Sequence, residues 1–365
     1  MKLIDRYIIR QYVVASFFGL VSFVCIFLVI DLTEKVDDFL DADVPAGTIL
    51  QYYLAFIPEI VKLMTPVAML LAALFVTGRL SANQELAAMK SGGVSLYRLL
   101  APFLLVAFVV SVFSVYLNGW VVPYSNQTKF YIERTHLRRG GDPTQRFNLF
   151  FQIGPRRIVT VNYFDIQSHT ASRVTILDFS DTNRTVLSHR YDAPHMAWRG
   201  TNDSLPAGWT LQNGSHRATI DLRSPVTRFD TLFMGTLGLS PTEIEKKQRK
   251  PDEMVYEDLA AFIQGQREAG QDVSRWLVDY HAKMAFPFAS IIMVLFGVPF
   301  ASGRQRTGAA LGFGIAVAIT FIYLAFTKIS QVFGYNGDID PFLTAWLANG
   351  VFLVGAVINI IRVRK

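Results

Sequence analysis

The sequence predicts an α-helical membrane protein with six transmembrane helices and an inserted all-β domain. Apolar residues make up 51% of the 365 residues, and they gather in runs long enough to cross about 30 Å of hydrocarbon as helices. Residues 124–280 contain no such run and show short alternating segments between turn residues, which is typical of strands. We therefore expect spans 1–3 in residues 1–123, a β domain in 124–280 and spans 4–6 in 281–365.

The first three spans are predicted at residues 12–30, 48–78 and 96–122. The first run is too long for the apolar part of a signal peptide, and no small-x-small cleavage site follows it, which favours an uncleaved helix. The second run is predicted to kink, with its first part at the interface or against protein, because two prolines and two ionisable residues interrupt it: Pro58, Glu59, Lys62 and Pro66. Glu59 and Lys62 lie three residues apart, so the two are predicted to pair with each other.

A polar stretch between the second and third spans predicts a short helix from Ser81 to Ser91. Ser81 is a suitable N-cap, and Gln84 lies at the spacing of a capping box. Gly92-Gly93 would end the helix, because glycine readily takes the left-handed conformation.

This short helix has one narrow apolar face, formed by Ala82, Leu86 and Met89. Glu85 falls in its first turn, where the helix dipole favours a carboxylate. A helix held in this way between two spans offers a binding surface through which a soluble partner can move the spans. The alternative is an ordinary interfacial helix that lies on the bilayer.

The β domain is predicted from alternating segments, for example at residues 147–153, 157–163, 173–179, 208–212 and 217–221. Turn residues lie between them, including Gly140-Gly-Asp-Pro143, Asn213-Gly214 and Ser204-Leu-Pro206. The pattern favours one all-β domain, a sandwich or an open jelly roll. Residues 240–274 are charged and predicted helical, with Pro241 as a first helical residue, and they would lead the chain back to the membrane.

Three further spans are predicted at residues 281–300, 308–333 and 341–361. Lys and Arg are concentrated in alternate short loops: Lys2, Arg6, Arg10, then Arg79, Lys90, Arg98, then Arg304, Arg306, and finally Arg362, Arg364, Lys365. By the positive-inside rule, both termini and the short polar helix are predicted to be cytoplasmic, and the β domain lies on the opposite side.

No catalytic motif is present in the sequence. It lacks a phosphate-binding loop of the Gly-x-x-x-x-Gly-Lys-Ser/Thr type, a His-Glu-x-x-His pair and a Gly-x-Ser-x-Gly elbow. The single Cys25 excludes an intrachain disulfide. His189 and His195 are interpreted as surface or core histidines rather than metal ligands. The net charge of +6 lies largely beside apolar runs, which argues against nucleic acid as a partner.

Ionisable residues in or near the spans are the informative ones, because they are costly there unless paired or functional. Lys328 lies within the fifth span, near its far end, and either snorkels or acts on substrate. Basic residues also follow the third span: Lys129, Arg134, Arg138 and Arg139. They form a solvated charged face, or they contact phosphate groups of anionic lipid or of a phosphorylated substrate.

The chain resembles the LptF/LptG permease family of the bacterial lipopolysaccharide exporter over essentially its whole length. The resemblance rests on five segments: residues 3–8 (Leu-Ile-Asp-Arg-Tyr-Ile), 78–95, Trp120-Val-Val-Pro123, Gly297-Val-Pro299 and 341–349 (Pro-Phe-Leu-Thr-Ala-Trp-Leu-Ala-Asn). The segments Asp37-Asp-Phe-Leu40 and Leu50-Gln-Tyr-Tyr-Leu54 look more like the LptG branch.

The resemblance implies that the short polar helix is a coupling helix that docks into a cytoplasmic ABC ATPase, an LptB-like dimer that holds ATP and Mg²⁺. The implied coupling residues are Glu85, Leu86, Met89, Ser91 and Gly92. It also implies a second permease of the same family, a single-span LptC-like jellyroll protein, and a periplasmic jellyroll that receives lipopolysaccharide. The first and fifth spans would form gates.

The chain departs from the family where basic residues often meet lipid A phosphates, because the far end of its first span is acidic. Lys35 is the only base among Asp31, Glu34 and the acidic residues that follow. Three alternatives stay open. Lys35, Lys129 and Arg134 take that role, divalent cations bridge the charges, or the partner subunit supplies the positive charge. With Lys328, these are the expected substrate-binding residues.

The expected function is that of a permease subunit of an ATP-driven lipopolysaccharide exporter in the bacterial inner membrane, with no cofactor in this chain. Two alternatives belong to other classes. A membrane-anchored periplasmic scaffold would not need a marked coupling helix. A membrane enzyme acting on lipid-linked sugars would need an acid/base pair at the membrane surface, which the sequence does not provide.

Overall fold

The computed structural model describes residues 3–137, 145–153, 156–165, 168–180, 186–200, 206–218, 225–241, 244, 250–268, 270–303 and 309–362. The chain divides into two compact units. The helical unit comprises Met1–His136, Pro251–Leu259 and Ser274–Lys365, and the β unit comprises Leu137–Lys250 and Ala260–Val273.

The helices of the described residues follow in chain order. They are α1 (Leu3–Asp41), α2 (Ala46–Ala82), α3 (Glu85–Ser91), α4 (Leu96–Tyr116), α5 (Val122–Ile132), α6 (Tyr256–Glu268), α7 (Ser274–Ala285), α8 (Ala289–Gly303), α9 (Ala309–Tyr335) and α10 (Pro341–Arg362). Short 3₁₀ turns at Pro251–Glu253 and Phe286–Phe288 precede α6 and α8.

Within these residues, six helical stretches are long and apolar enough to cross a membrane. They lie at Leu3–Asp41, Ala46–Ala82, Leu96–Leu137, Ser274–Ser302, Val317–Tyr335 and Pro341–Arg362. Together with the inserted sheet described below, they confirm the predicted fold class. The helices extend past the apolar runs by up to several turns, because a helix can continue with polar side chains wherever protein or water satisfies them.

The central helix of the helical unit is α2. One of its faces packs with α1, α4 and α8 in a core that includes Tyr12, Met69 and Phe103. Another face packs with α8, α9 and α10 around Leu70 and Tyr323. In the most apolar 18-residue segment of α2, 67% of the residues are buried, whereas 0% are buried in the corresponding segment of α1. The apolar surface of α1 therefore faces outward from this chain over that segment.

The helix that contains the third predicted span is longer than that span. The helix continues from α4 through a π-helical segment (Leu117–Val121), α5 and a second π-helical segment (Glu133–Leu137), so it extends well past residue 122, where the membrane span is expected to end. The polar side chains of α5 find partners on the 3₁₀ turn at residues 251–253. Asn126 donates to the carbonyl of Asp252 at 3.3 Å, and Gln127 donates to that of Glu253 at 2.7 Å. Polarity therefore does not end this helix.

The β unit holds a six-stranded antiparallel sheet in the order β1-β2-β3-β4-β5-β6. The strands are β1 (Gln145–Ile153), β2 (Arg157–Asp165), β3 (Thr170–Phe179), β4 (Leu187–Arg199), β5 (Gly208–Ala218) and β6 (Val226–Gly235). Each described strand pairs with the next along the chain, so the sheet is a meander, a strand order that the sequence left open. Its core includes Trp209, whose indole donates to the carbonyl of Leu239 at 2.5 Å.

The predicted turn at Asn213-Gly214 is wrong, because both residues lie inside β5. Asn213 has a φ of +52°, and a Cβ on Gly214 would approach the ring of Phe229 to 2.4 Å and the carbonyl of Asp192 to 2.7 Å. A glycine signal inside a strand here reflects close packing rather than a turn. The expected turn at 140–143 and residues 204–205 and 219–221 lie outside the described residues. Of the helix expected from Pro241, residues 242–243 and 245–249 also lie outside them.

Candidate functional site

The helix α3 begins at Glu85 rather than at the predicted Ser81. Ser81 lies in the last turn of α2, which ends at Ala82, so it does not cap α3. The buried Leu80, 1% exposed, helps to hold that last turn in the core. Gln84 then takes a left-handed conformation with a φ of +62° and turns the chain into α3. The predicted capping box is therefore wrong, because core packing prolongs α2 past the local capping signal.

The predicted end of this helix at the glycine pair is confirmed. Gly93 has a φ of +84°. Its amide donates to the carbonyl of Lys90, and the amide of Val94 donates to that of Met89, both at 3.0 Å. These two bonds form a Schellman motif, which satisfies the last carbonyls of a helix and favours glycine at the left-handed position.

The apolar face of α3 turns toward its own chain. Leu86 is 4% exposed and joins the core of α1, α2 and α4, and Met89 packs against the same core. Ala82 belongs to α2 and is exposed. The surface that α3 presents outward consists of Ala87, Ala88, Lys90, Ser91 and Gly92. Of the five predicted coupling residues, Leu86 is thus an anchor, while Ser91 and Gly92 lie on the exposed surface.

The carboxylate of Glu85 is bound within the chain. Its Oε2 accepts a hydrogen bond of 3.0 Å from the hydroxyl of Tyr7, and its Oε1 accepts one of 3.1 Å from Asn83. On the other side of α3, the guanidinium of Arg98 donates to Asp5 at 2.6 Å. The first turns of α1 are therefore tied to the residues on both sides of α3.

Three of the four predicted substrate-binding residues lie at the other end of the helical unit, and each has a carboxylate partner. Lys35 forms an ion pair of 2.8 Å with Glu133 and also donates to the hydroxyl of Tyr52. Asp31 lies 3.5 Å from the same ammonium. Along α1, Tyr7 and Lys35 are separated by about 42 Å at 1.5 Å per residue, so this charge cluster is far from α3.

Lys129 and Arg134 are paired in the same way. Lys129 pairs with Glu59 and lies 4.8 Å and 4.7 Å from the ring centres of Phe56 and Phe130. Arg134 pairs with Glu253, which is 2% exposed. The expected pair of Glu59 with Lys62 is wrong, because Lys62 lies 3.6 Å from Asp252 instead. Folding brings each carboxylate to a base from another segment.

Lys328 differs from these three. It lies on α9, is exposed, and donates to the amide oxygen of Gln331 at 3.2 Å. No carboxylate of the described residues lies within 4 Å of its ammonium. Among the four predicted substrate-binding residues within the described ranges, it presents the most accessible positive charge. Arg138 and Arg139 lie outside the described residues, and the substrate contacts of all four remain predictions.

Sequence reasoning missed the partners Tyr7, Tyr52 and Glu133. Tyr7 lies in residues 3–8, one of the segments that carry the family resemblance, and this could have marked it as a functional residue. Glu133 lies among basic residues four positions after Lys129, and this spacing also marks a helical ion pair. The structure pairs it with Lys35 across 98 residues of sequence instead.

Histidines in the β unit form a pair rather than a metal cluster. His189 Nδ1 and His216 Nε2 lie 3.1 Å apart on β4 and β5, and the ring of His216 stacks on Tyr191 at 4.4 Å. Burial, and secondarily the charge of His189, lowers the pKa of His216. In the part of the chain that the structure describes, no three His, Cys, Asp or Glu side chains lie close enough to hold a metal ion.

Comparisons with known proteins agree over almost the entire chain. The family model described as "Lipopolysaccharide export system permease LptF/LptG" matches residues 6–362. The chain is 24% identical to the lipopolysaccharide export system permease protein LptG of Haemophilus influenzae over 322 residues, which is 87% of each chain. It is 24% identical to LptG of Escherichia coli K12 over 96% of each chain, and 21% identical to LptF of the same organism over 98% of this chain and 94% of the relative. The chain belongs to the LptF/LptG family of lipopolysaccharide export permeases.

Proposed function

We propose that this chain is one permease subunit of an ATP-driven exporter that extracts lipopolysaccharide from the bacterial inner membrane and passes it to a periplasmic bridge of jellyroll domains. The observation that carries the proposal is the attachment of α3 to α1 through the hydrogen bond of Tyr7 with Glu85, next to which α4 is attached to α1 through Asp5 and Arg98. Movement of α3 would therefore reach the first span directly.

The ATPase in this proposal is a separate cytoplasmic protein, an LptB-like dimer that binds ATP and Mg²⁺. Its contact surface on this chain is the outward face of α3, with Lys90, Ser91 and Gly92 exposed. Leu86 and Met89 pack α3 against the core of α1, α2 and α4. A displacement of α3 by the ATPase would therefore move these spans, because α3 is not free to swing independently of them. Two packing states of the spans, biased by the ATPase, are sufficient for transport, and no reactive group is needed in this chain.

A second permease of the same family is the proposed partner within the membrane. The apolar surface of α1 faces outward, and α9 exposes Phe321, Ile322, Ile329 and Val332. Two six-span subunits that join such surfaces would enclose a cavity for the substrate, with α1 and α9 as its movable walls. An LptC-like single-span protein would contribute a further jellyroll.

The orientation in this proposal follows from the basic loops. Arg6, Arg10, Arg79, Lys90 and Arg98 lie in the short basic segments at the end of the chain that carries α3, which supports our proposal that this end is cytoplasmic and the β unit periplasmic.

Lys328 is our proposed contact for substrate phosphate, because it is exposed on α9 and no carboxylate of the described residues lies within 4 Å of its ammonium. A photoreactive residue at position 329 should crosslink to lipopolysaccharide, and Lys328→Leu should reduce that yield severalfold. Unchanged crosslinking would contradict a phosphate contact by Lys328.

The coupling role is tested with Glu85→Ala and Glu85→Lys in the purified complex. We expect the complex to lose most of its lipopolysaccharide-dependent ATP hydrolysis and release, while the matched variant Glu257→Ala, an exposed acid in α6, keeps both. Full export with normal complex yield in the Glu85 variants would refute the coupling role. Recovery of the tagged chain without any ATPase would favour a scaffold instead.

A further inference from the structure

We propose that the groove between α1 and α2 beside α3 binds an anionic glycerophospholipid, such as phosphatidylglycerol, with its phosphate at Arg10 and Arg79. This inference goes beyond the proposed function. It requires that the helices lie in a membrane, but it requires neither an ATPase nor transport.

The groove is formed by two facing helical stripes and has a volume of about 860 Å³. On α1 the stripe runs from Tyr7 and Arg10 to Val14 and Phe18, and Phe75 and Arg79 are on the α2 side. The lining is mostly apolar, and both arginines belong to the end next to α3. The result is an amphipathic site with a charged end and a long apolar tail.

The length of the groove matches one leaflet. Tyr7 and Phe18 lie about 16 Å apart along α1 at 1.5 Å per residue, and half of a bilayer hydrocarbon core is about 15 Å. An acyl chain whose headgroup is held at the arginine end would lie along Val14, Phe18 and Phe75, which are 48%, 65% and 53% exposed. A lipid covers this apolar surface without leaving the membrane.

The two arginines are available to a ligand. Both are exposed, and among the described residues no carboxylate lies within 4 Å of either guanidinium, whereas Arg98 and Arg134 are each paired. A guanidinium fork binds a phosphate through two parallel hydrogen bonds. Positive side chains at the membrane surface also attract anionic lipids.

Gln11 adds an observation that is independent of charge. Its Oε1 is buried in the groove lining, and no donor among the described residues reaches it. A buried acceptor without a donor is costly. A side-chain rearrangement of Gln11 that turns this oxygen into the groove would let a glycerol hydroxyl of a phosphatidylglycerol headgroup donate to it beside the phosphate. A phosphocholine headgroup has no N–H or O–H to donate.

The test is native mass spectrometry of the purified full-length chain, with its co-purifying partners, after delipidation. Phosphatidylglycerol and phosphatidylcholine with identical acyl chains are added at equal concentration. We expect preferential retention of phosphatidylglycerol, and a decrease of about tenfold in its apparent affinity in Arg10→Gln/Arg79→Gln. The matched control Arg6→Gln/Arg362→Gln removes two exposed arginines that do not line the groove and should bind like the wild type.

A second variant keeps the charges and fills the groove. Val14→Trp is placed on an exposed position of the lining, and it should also weaken phosphatidylglycerol retention. Equal retention of both lipids by the wild type, or an equal loss in the control variant, would overturn the proposal. Displacement of phosphatidylglycerol by lipopolysaccharide that depends on Arg10 and Arg79 would assign the groove to substrate and also overturn it. None of these readouts depends on ATP hydrolysis, so failure here is distinct from failure of the coupling role.

Discussion

The hydroxyl of Tyr7 donates a hydrogen bond of 3.0 Å to Oε2 of Glu85, which joins the beginning of the first span to the first residue of α3. The two residues are 78 positions apart in sequence. Glu85 is the acidic residue of the implied coupling helix, and Tyr7 also lines the groove between α1 and α2. One hydrogen bond therefore connects the proposed ATPase contact, the first span and the proposed lipid site.

Removal of this hydroxyl should weaken coupling without unfolding the protein. A hydrogen bond to a charged acceptor contributes about 1–2 kcal/mol, and Tyr7 is 43% exposed, so its loss leaves the core intact. We expect Tyr7→Phe to lower lipopolysaccharide release per ATP hydrolysed severalfold, while the unfolding temperature falls by only a few degrees. The measurement is a paired release and ATPase assay in proteoliposomes. Tyr131→Phe, an exposed tyrosine on α5, is the control, and equal ratios in both variants would contradict the prediction.

The ion pair of Lys129 with Glu59 is predicted to be structural. Glu59→Gln should destabilise the protein by about 2–4 kcal/mol, because it leaves the 6% exposed Lys129 without its carboxylate. The paired variant Glu59→Leu/Lys129→Met should regain most of that stability, since the new side chain at 129 packs on Phe56 and Phe130.

Thermal unfolding and export of both variants are measured in parallel. We expect the paired variant to keep export. A paired variant that is stable but fails to export would instead support a phosphate contact by Lys129.

Asn349 is predicted to hold α7, α9 and α10 together. It is 4% exposed, accepts a hydrogen bond of 2.9 Å from Tyr323 and donates one of 2.7 Å to the carbonyl of Ala285. Asn349→Leu leaves both partners unsatisfied and should cost about 2 kcal/mol, and Tyr323→Phe about half of that. Unfolding monitored in detergent checks this, with the exposed Asn336→Leu as control. A Tyr323→Phe variant as unstable as Asn349→Leu would contradict the prediction that each of the two hydrogen bonds contributes about half of the lost stability.

The histidine pair should make the β unit less stable in mild acid. The pKa of His216 is lowered by burial and by His189, so the unfolded chain, with an ordinary value of about 6.5, takes up its proton first. Stability is therefore complete above about pH 6.5 and declines as the pH falls through the lower folded-state pKa. His216→Gln should flatten this dependence.

Hydrogen exchange of β4 and β5 at pH 7.5 and 5.5, corrected for intrinsic rates, measures the effect. Asp192 does not contribute to the pH dependence between pH 7.5 and 5.5. Burial alone would raise its pKa, but hydrogen bonds from Arg190 and Thr175 lower it, so it titrates in stronger acid. An unchanged pH dependence in His216→Gln would show that another group is responsible.

Local signals were sufficient for much of the fold. The apolar runs located the spans, and the alternating segments located β1, β2, β3 and β5. The glycine pair marked the end of α3, since only Gly93 has to take the left-handed conformation there. Where these signals failed, packing outweighed them. Ser81 and Gln84 have the spacing of a capping box, yet the buried Leu80 keeps that turn in α2.

The sequence by itself determined that this is a membrane permease of the LptF/LptG family with an inserted β domain. Hydropathy, strand alternation and family motifs depend on residues that are close together in the sequence, so they can be recognised without the fold. Only the tertiary structure decided what the charged residues do. A base in a low-dielectric region takes whichever carboxylate the packing brings near it. Lys129 therefore pairs with Glu59 across 70 residues of sequence, while Arg10, Arg79 and Lys328 are exposed and have no carboxylate of the described residues within 4 Å.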